Sequence, residues 1–136
     1  MFIMDNEFIQ VKIYYKKIGH KYVAYTEQEF NKTIKEEEKK NYMSLMAKFF
    51  ELSWGLYNEL QESAIMENSN GERQFNYKIF KENRLRKLMK EWDAQKDGKP
   101  VPINEKSISM LSPVIAEALL RSYDDMVILG EEEEKK

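Results

Sequence analysis

The stretch YMSLMAKFF at residues 42–50 decides what kind of fold this chain adopts. Met43, Met46, Ala47 and Phe50 stand at i, i+3, i+4 and i+7, the spacing that lines apolar side chains along one face of an α-helix. Read as a helix, the stretch opens an apolar, aromatic region that runs on to Met66 and makes the chain helical from residue 42 onward. Phe50-Glu51-Leu52 fits a short strand equally well. Phe49 and Phe50, being adjacent, cannot both enter the core behind one helix, so part of this stretch is expected at the surface.

Upstream, FIQVKIYY at 8–15 alternates, with Ile9, Val11, Ile13 and Tyr15 on one face and Phe8, Gln10, Lys12 and Tyr14 on the other. A polar turn containing Gly19 leads to Tyr22-Val23-Ala24-Tyr25, so a β-hairpin is expected over 8–25. Thr26-Glu27-Gln28-Glu29 fits a capping box and predicts a helix over 27–39. Its apolar face is thin, only Phe30 and Ile34, and it runs into KEEEKK at 35–40, which reads as an exposed, frayed linker.

Downstream, Ser53 caps a helix predicted over 54–66, in which Tyr57, Leu60 and Ala64 share a face. After the turn-forming ENSNGER at 67–73, Asn76 caps a helix over 77–92. Leu85, Leu88, Met89 and Trp92 are its buried stripe, and Lys78, Lys81, Arg84, Arg86, Lys87 and Lys90 remain outside. DAQKDGKPVP at 93–102 is a loop because its two prolines exclude a continuing helix. Asn104 caps a short helical turn, and Ser112-Pro113 opens a last helix to 129, stopped by Gly130. The expected fold class is therefore α+β, mostly α-helical: a small helical domain with an N-terminal β-hairpin. Residues 1–26 form the hairpin segment, 27–41 the charged helix and linker, 42–130 the helical domain and 131–136 a disordered acidic/basic tail. Trp54, Tyr57, Leu60, Leu85, Leu88, Trp92, Ile115 and Leu119 are the expected core.

Composition narrows the chemistry. At 136 residues with 42% hydrophobic and 34% charged side chains, the chain is long enough for one core and too aromatic for general disorder. It has no Cys and one His, which removes thiol nucleophiles, thiolate zinc sites and most imidazole chemistry. A net charge of −2 supplies no field for a polyanion, so no nucleic-acid binding is expected. No apolar run is long enough to span a bilayer, and residues 1–7 carry acids where a secretory leader needs a basic start, so a cytosolic location is expected.

Individual residues add little catalysis. Asp93, Asp97 and Gly98 imitate three positions of a calcium loop, but Gln95 and Asn104 occupy ligand positions and the prolines interrupt it, so the segment reads as a turn. His20 in the hairpin turn has no neighbouring ligand or acid pair and is assigned no role. Asp124 and Asp125, adjacent on a helix, diverge and read as solvated surface. The basic stretch 78–90 is interrupted by Glu82 and reads as a solvated helix face. No catalytic residue, cofactor or metal ligand is assigned. What remains is a surface rich in Met and Phe, side chains that adapt to varied partners. Met43, Met46, Phe49 and Phe50 are the candidate partner-binding residues, their exposed part expected to hold an apolar, helical partner segment.

The order of Leu52-Ser53-Trp54-Gly55-Leu56-Tyr57-Asn58-Glu59-Leu60-Gln61, a polar loop, Phe75 to Trp92-Asp93, Asp97-Gly98-Lys99-Pro100-Val101-Pro102 and Leu111-Ser112-Pro113 resembles the tail assembly chaperones of long-tailed phages and related prophages. The resemblance covers roughly residues 50–126 and rests on packing and turn motifs. It implies a small, mostly helical, non-enzymatic protein that coats the tape-measure protein in the host cytoplasm and helps recruit tail-tube subunits. The expected partners are the tape-measure or another phage tail protein, with self-association as a further possibility and no membrane. The alternative is a minor structural or connector protein retained in the virion. In such a family a longer product is often made by ribosomal slippage, and the A-rich Glu and Lys codons of the tail offer a place for it.

Overall fold

A computed structural model describes residues 8–127. The tail at 131–136 and the end of the last predicted helix, 128–129, lie outside the described residues.

The alternation at the start of the chain builds a hairpin. Strand β1 (Phe8–Ile18) pairs antiparallel with β2 (Lys21–Thr26). Gly19, at φ +65°, supplies the left-handed residue in the turn. Thr26 then caps helix α1 (Glu27–Thr33). Its hydroxyl accepts from the Glu29 N–H while the Glu29 carboxylate accepts from the Thr26 N–H. The helix stops early, and a 3-10 helix (Glu36–Asn41) carries the charged segment across to the far side of β1.

There the chain departs from expectation. Met43–Phe50 is not a helix but strand β3, paired with β1 from Tyr15↔Met43 to Phe8↔Phe50. The apolar periodicity at 43, 46, 47 and 50 suits a helix, yet Leu45, Ala47 and Phe49 alternate at a period of two. That set meets Ile13, Val11 and Ile9 across the ladder. Tertiary pairing overrides the local pattern. The chain is accordingly mixed α+β and not mostly α-helical: 46% of the described residues are helical and 32% are strand.

Ser53, through its side chain, caps α2 (Trp54–Ser63), and Asn76 caps α3 (Tyr77–Leu88). Between them lies a small hairpin, β4 (Ile65–Glu67) with β5 (Arg73–Phe75). The α3 helix ends four residues before the expected Trp92, because Met89–Trp92 becomes β6 and pairs with β3. A second small hairpin, β7 (Gln95–Lys96) and β8 (Lys99–Pro100), turns through Asp97 and Gly98, both at positive φ. Helices α4 (Glu105–Ser109), capped by Asn104, and α5 (Pro113–Val127) complete the chain.

The principal sheet runs β2-β1-β3-β6, all antiparallel. Its inner face, with Ile13, Leu45 and Phe49, packs on Leu60, Leu85, Leu88, Leu119 and Tyr123 from the helices. Of the expected core, Leu60, Leu85, Leu88, Ile115 and Leu119 are buried, while Tyr57 and Trp92 pack at the margin. Trp54 is 77% exposed and lies outside it. Arg84, expected in solvent, is 5% exposed and forms a forked pair with Asp124 at 2.6 and 3.3 Å. Asp124 is therefore the counter-ion of a buried guanidinium and not a free surface charge.

Candidate partner-docking surface

Side chains alternate across a strand, so each sheet residue that faces away from the helices belongs to one outer surface. On β1 these are Phe8, Gln10, Lys12 and Tyr14; on β3 they are Ser44, Met46, Lys48 and Phe50. One end of this surface is covered. The ring of Phe30 in α1 stacks on Tyr14 at 4.0 Å and meets Tyr42 edge-on, and Tyr42 in turn packs on Tyr25.

The other end is open. Phe8 and Phe50 face each other across the ladder with ring centroids 5.4 Å apart, and are 41% and 43% exposed. The Lys90 ammonium, from the bulged strand β6, stands 3.9 Å from the Phe8 centroid and 5.8 Å from that of Phe50. Half-buried Met46 lies four residues from Phe50 along β3, and Lys12 and Lys48 flank it. Lys48 is paired with Glu91 at 3.9 Å, and an apolar floor with the ammonium groups of Lys12 and Lys90 beside it favours a partner that brings apolar side chains together with carboxylates.

The four candidate residues separate. Phe50 and Met46 belong to this open face. Met43 is exposed at the start of β3, at the far end of the sheet. Phe49 points the other way and is fully buried, its ring 5.0 Å from Tyr123, so it is a core residue and offers no partner contact. Phe8 and Lys90 were not among the candidates. The alternation of FIQVKIYY already turned Phe8 outward, but Lys90 joins it only through the bulge in β6. Also unforeseen is a chain of rings on α2, β5 and α3. Trp54 lies against Tyr57 at 6.4 Å, Tyr57 against Phe80 at 6.5 Å, and Phe80 meets Phe75 and Tyr77 at 5.4 and 6.3 Å.

Several other titratable groups have structural partners. The Asp93 carboxylate accepts from the Met46 N–H at 2.8 Å, tying the loop after β6 to β3. Arg121 on α5 clasps the Glu29 carboxylate at 3.0 and 3.1 Å and holds its pKa below the ordinary value, chiefly through that hydrogen bond. Burial pushes the Tyr123 phenol up to about 12. Among the described residues no group of three or more His, Asp or Glu is gathered so as to hold a metal ion, and no helix is long and apolar enough to cross a membrane. No protein-family model, curated protein or solved structure matches the chain.

Proposed function

We propose that this chain is a non-enzymatic, tail-assembly-chaperone-like protein that holds a tape-measure or other tail polypeptide in the host cytoplasm during assembly. The observation that carries the docking part is the half-exposed Phe8–Phe50 pair beneath Lys90, on a sheet face otherwise open beside Met46. An aromatic pair left in solvent forgoes the transfer free energy that burial supplies, roughly 1.5–3 kcal/mol for a side chain of that size. A partner covering both rings recovers it. The Lys90 ammonium over the rings and that of Lys12 beside Met46 favour an acid-bearing partner. The tail-protein identity of that partner comes from the sequence resemblance.

The test replaces both rings at once. Phe8→Asp/Phe50→Asp is expected to keep the circular dichroism spectrum and melting temperature, because neither ring enters the core, and to lose co-purification with a co-expressed tape-measure protein. Undiminished capture by the doubly substituted chain removes the open face from the proposal. Purified particles are expected to lack the chain; its recovery from them in stoichiometric amount would replace the chaperone role with a structural one.

A further inference from the structure

β2 is shorter than the strand it pairs with. Its last paired residue, Thr26, lies opposite Ile13, and the chain then turns into α1. Residues 8–12 of β1 thus have β3 on one side and, among the described residues, no strand on the other.

Hydrogen-bond parity tells what that free edge presents. In an antiparallel ladder a residue's N–H and C=O point to the same side, and the side alternates along the strand. The Met46 N–H donates to Asp93 Oδ1 and its C=O accepts from the Asp93 N–H, so the even residues of β3 turn their backbone groups toward β6. The odd residues of β3 therefore bond to β1, through Ile9, Val11 and Ile13. Phe8, Gln10 and Lys12 direct their groups to the vacant side. The hairpin agrees: the Ala24 C=O accepts from Arg121 and the Thr26 N–H donates to Glu29, so the residues opposite Tyr15 and Ile13 face the outer edge. Among the described residues nothing on that side bonds to the N–H or C=O of Gln10.

Beside the edge is a cleft of about 240 Å³ whose walls include Val11, Lys12, Ser122 and Met126 together with the acidic Glu27 and Asp125. Ser122 is 7% exposed, and its Oγ has no hydrogen-bond partner among the described residues. A buried hydroxyl left so forfeits its hydration without compensation.

We infer that this slot takes an extended segment of a partner polypeptide, added to the sheet beside β1 in line with β2. A row of backbone donors and acceptors is matched by another backbone in the β conformation. Side chains of the added strand alternate. Those turned inward meet Val11 and Met126 and are small and apolar. Those turned outward lie beside Phe8 and between the Lys12 ammonium and the Glu27 carboxylate, and are polar and uncharged. The slot stands on backbone geometry and does not depend on the docking surface proposed above.

The probe is acetyl-Thr-Val-Thr-Val-Thr-amide, added at millimolar concentration to the full chain labelled with nitrogen-15. In the free chain the Gln10 amide is expected to exchange with solvent far faster than that of Val11. The peptide is expected to slow Gln10 exchange by roughly tenfold or more and to shift Phe8 and Ser122. Methylating the peptide nitrogens that face β1 abolishes both effects. Gln10→Pro removes the central one of the three N–H groups, on Phe8, Gln10 and Lys12, that are aimed at the slot while keeping extended backbone, so it is expected to leave the melting temperature unchanged and weaken the peptide by roughly tenfold or more. A Gln10 amide already protected in the free chain overturns the proposal. If that protection disappears in a chain ending at Val127, the slot belongs to the chain's own following residues. Shifts confined to Phe8, Met46 and Phe50, unaffected by Gln10→Pro, overturn the slot and leave the open face standing; Phe8→Asp/Phe50→Asp with the Gln10 protection retained does the reverse.

Discussion

Phe49 and Phe50 are neighbours in the chain and stand on opposite sides of the sheet. The first ring is fully buried 5.0 Å from Tyr123, and the second is 43% exposed 5.4 Å from Phe8. One peptide unit separates a residue that holds the fold together from one available to a partner.

That division is measurable by urea denaturation. Phe49→Ala removes a ring from a packed interior and is expected to cost about 3–5 kcal/mol. Phe50→Ala changes a half-exposed side chain and is expected to cost under about 1 kcal/mol. Equal losses would mean that the two faces of β3 are equally buried.

The forked pair between Arg84 and Asp124 predicts an asymmetry. Asp124→Ala strands a buried guanidinium, whose Nε lacks a partner among the described residues, and is expected to cost about 3–5 kcal/mol. Arg84→Met/Asp124→Leu removes both charges at similar volume and is expected to recover most of the loss in guanidinium denaturation. A double variant no better than Asp124→Ala would refute this.

Tyr123 makes part of the alkaline stability depend on its phenol, together with those of Tyr15 and Tyr42, whose pKa values burial also raises. Its pKa is raised from 10.0 to about 12 in the folded chain, so the folded state holds the proton more tightly than the unfolded one. The resulting stability is complete below the unfolded value of 10.0 and is lost as pH rises through about 12. Tyr123→Phe is expected to lose that part of the slope between these values, at the expense of the hydrogen bond from its hydroxyl to the Phe50 C=O. Denaturation midpoints at pH 9 to 12 check it.

Arg121 and Glu29 close part of the outer edge of β2, where the guanidinium reaches the Ala24 C=O and the carboxylate holds the Thr26 N–H. Charges placed at a sheet edge oppose pairing with other chains. Arg121→Ser is expected to raise concentration-dependent association in sedimentation velocity. Because the Glu29 pKa is lowered by folding, its contribution is present above the unfolded value of 4.5 and disappears as pH falls through the folded one. Glu29→Gln is therefore expected to show a shallower acid limb. Unchanged sedimentation would remove the edge-guarding role.

The helix starts were legible because a cap is a local bond. Thr26, Ser53, Asn76 and Asn104 each bond to a backbone N–H three residues ahead, and residue types at that spacing carry the whole interaction. The hairpin at β1 and β2 was legible for the same reason, since its partners are separated by one short turn. The fate of 43–50 was not. Both a helical and an alternating apolar set are present there, and the choice fell to Val11, Ile13 and Trp92, which pair with it from far along the chain. The same distance hid the shortening of α3, the burial of Arg84 against Asp124 and the arrival of Lys90 over Phe8. Local hydrogen bonds declare themselves in residue spacing. Face assignment on a strand and partners for a buried charge exist only once the sheet is assembled.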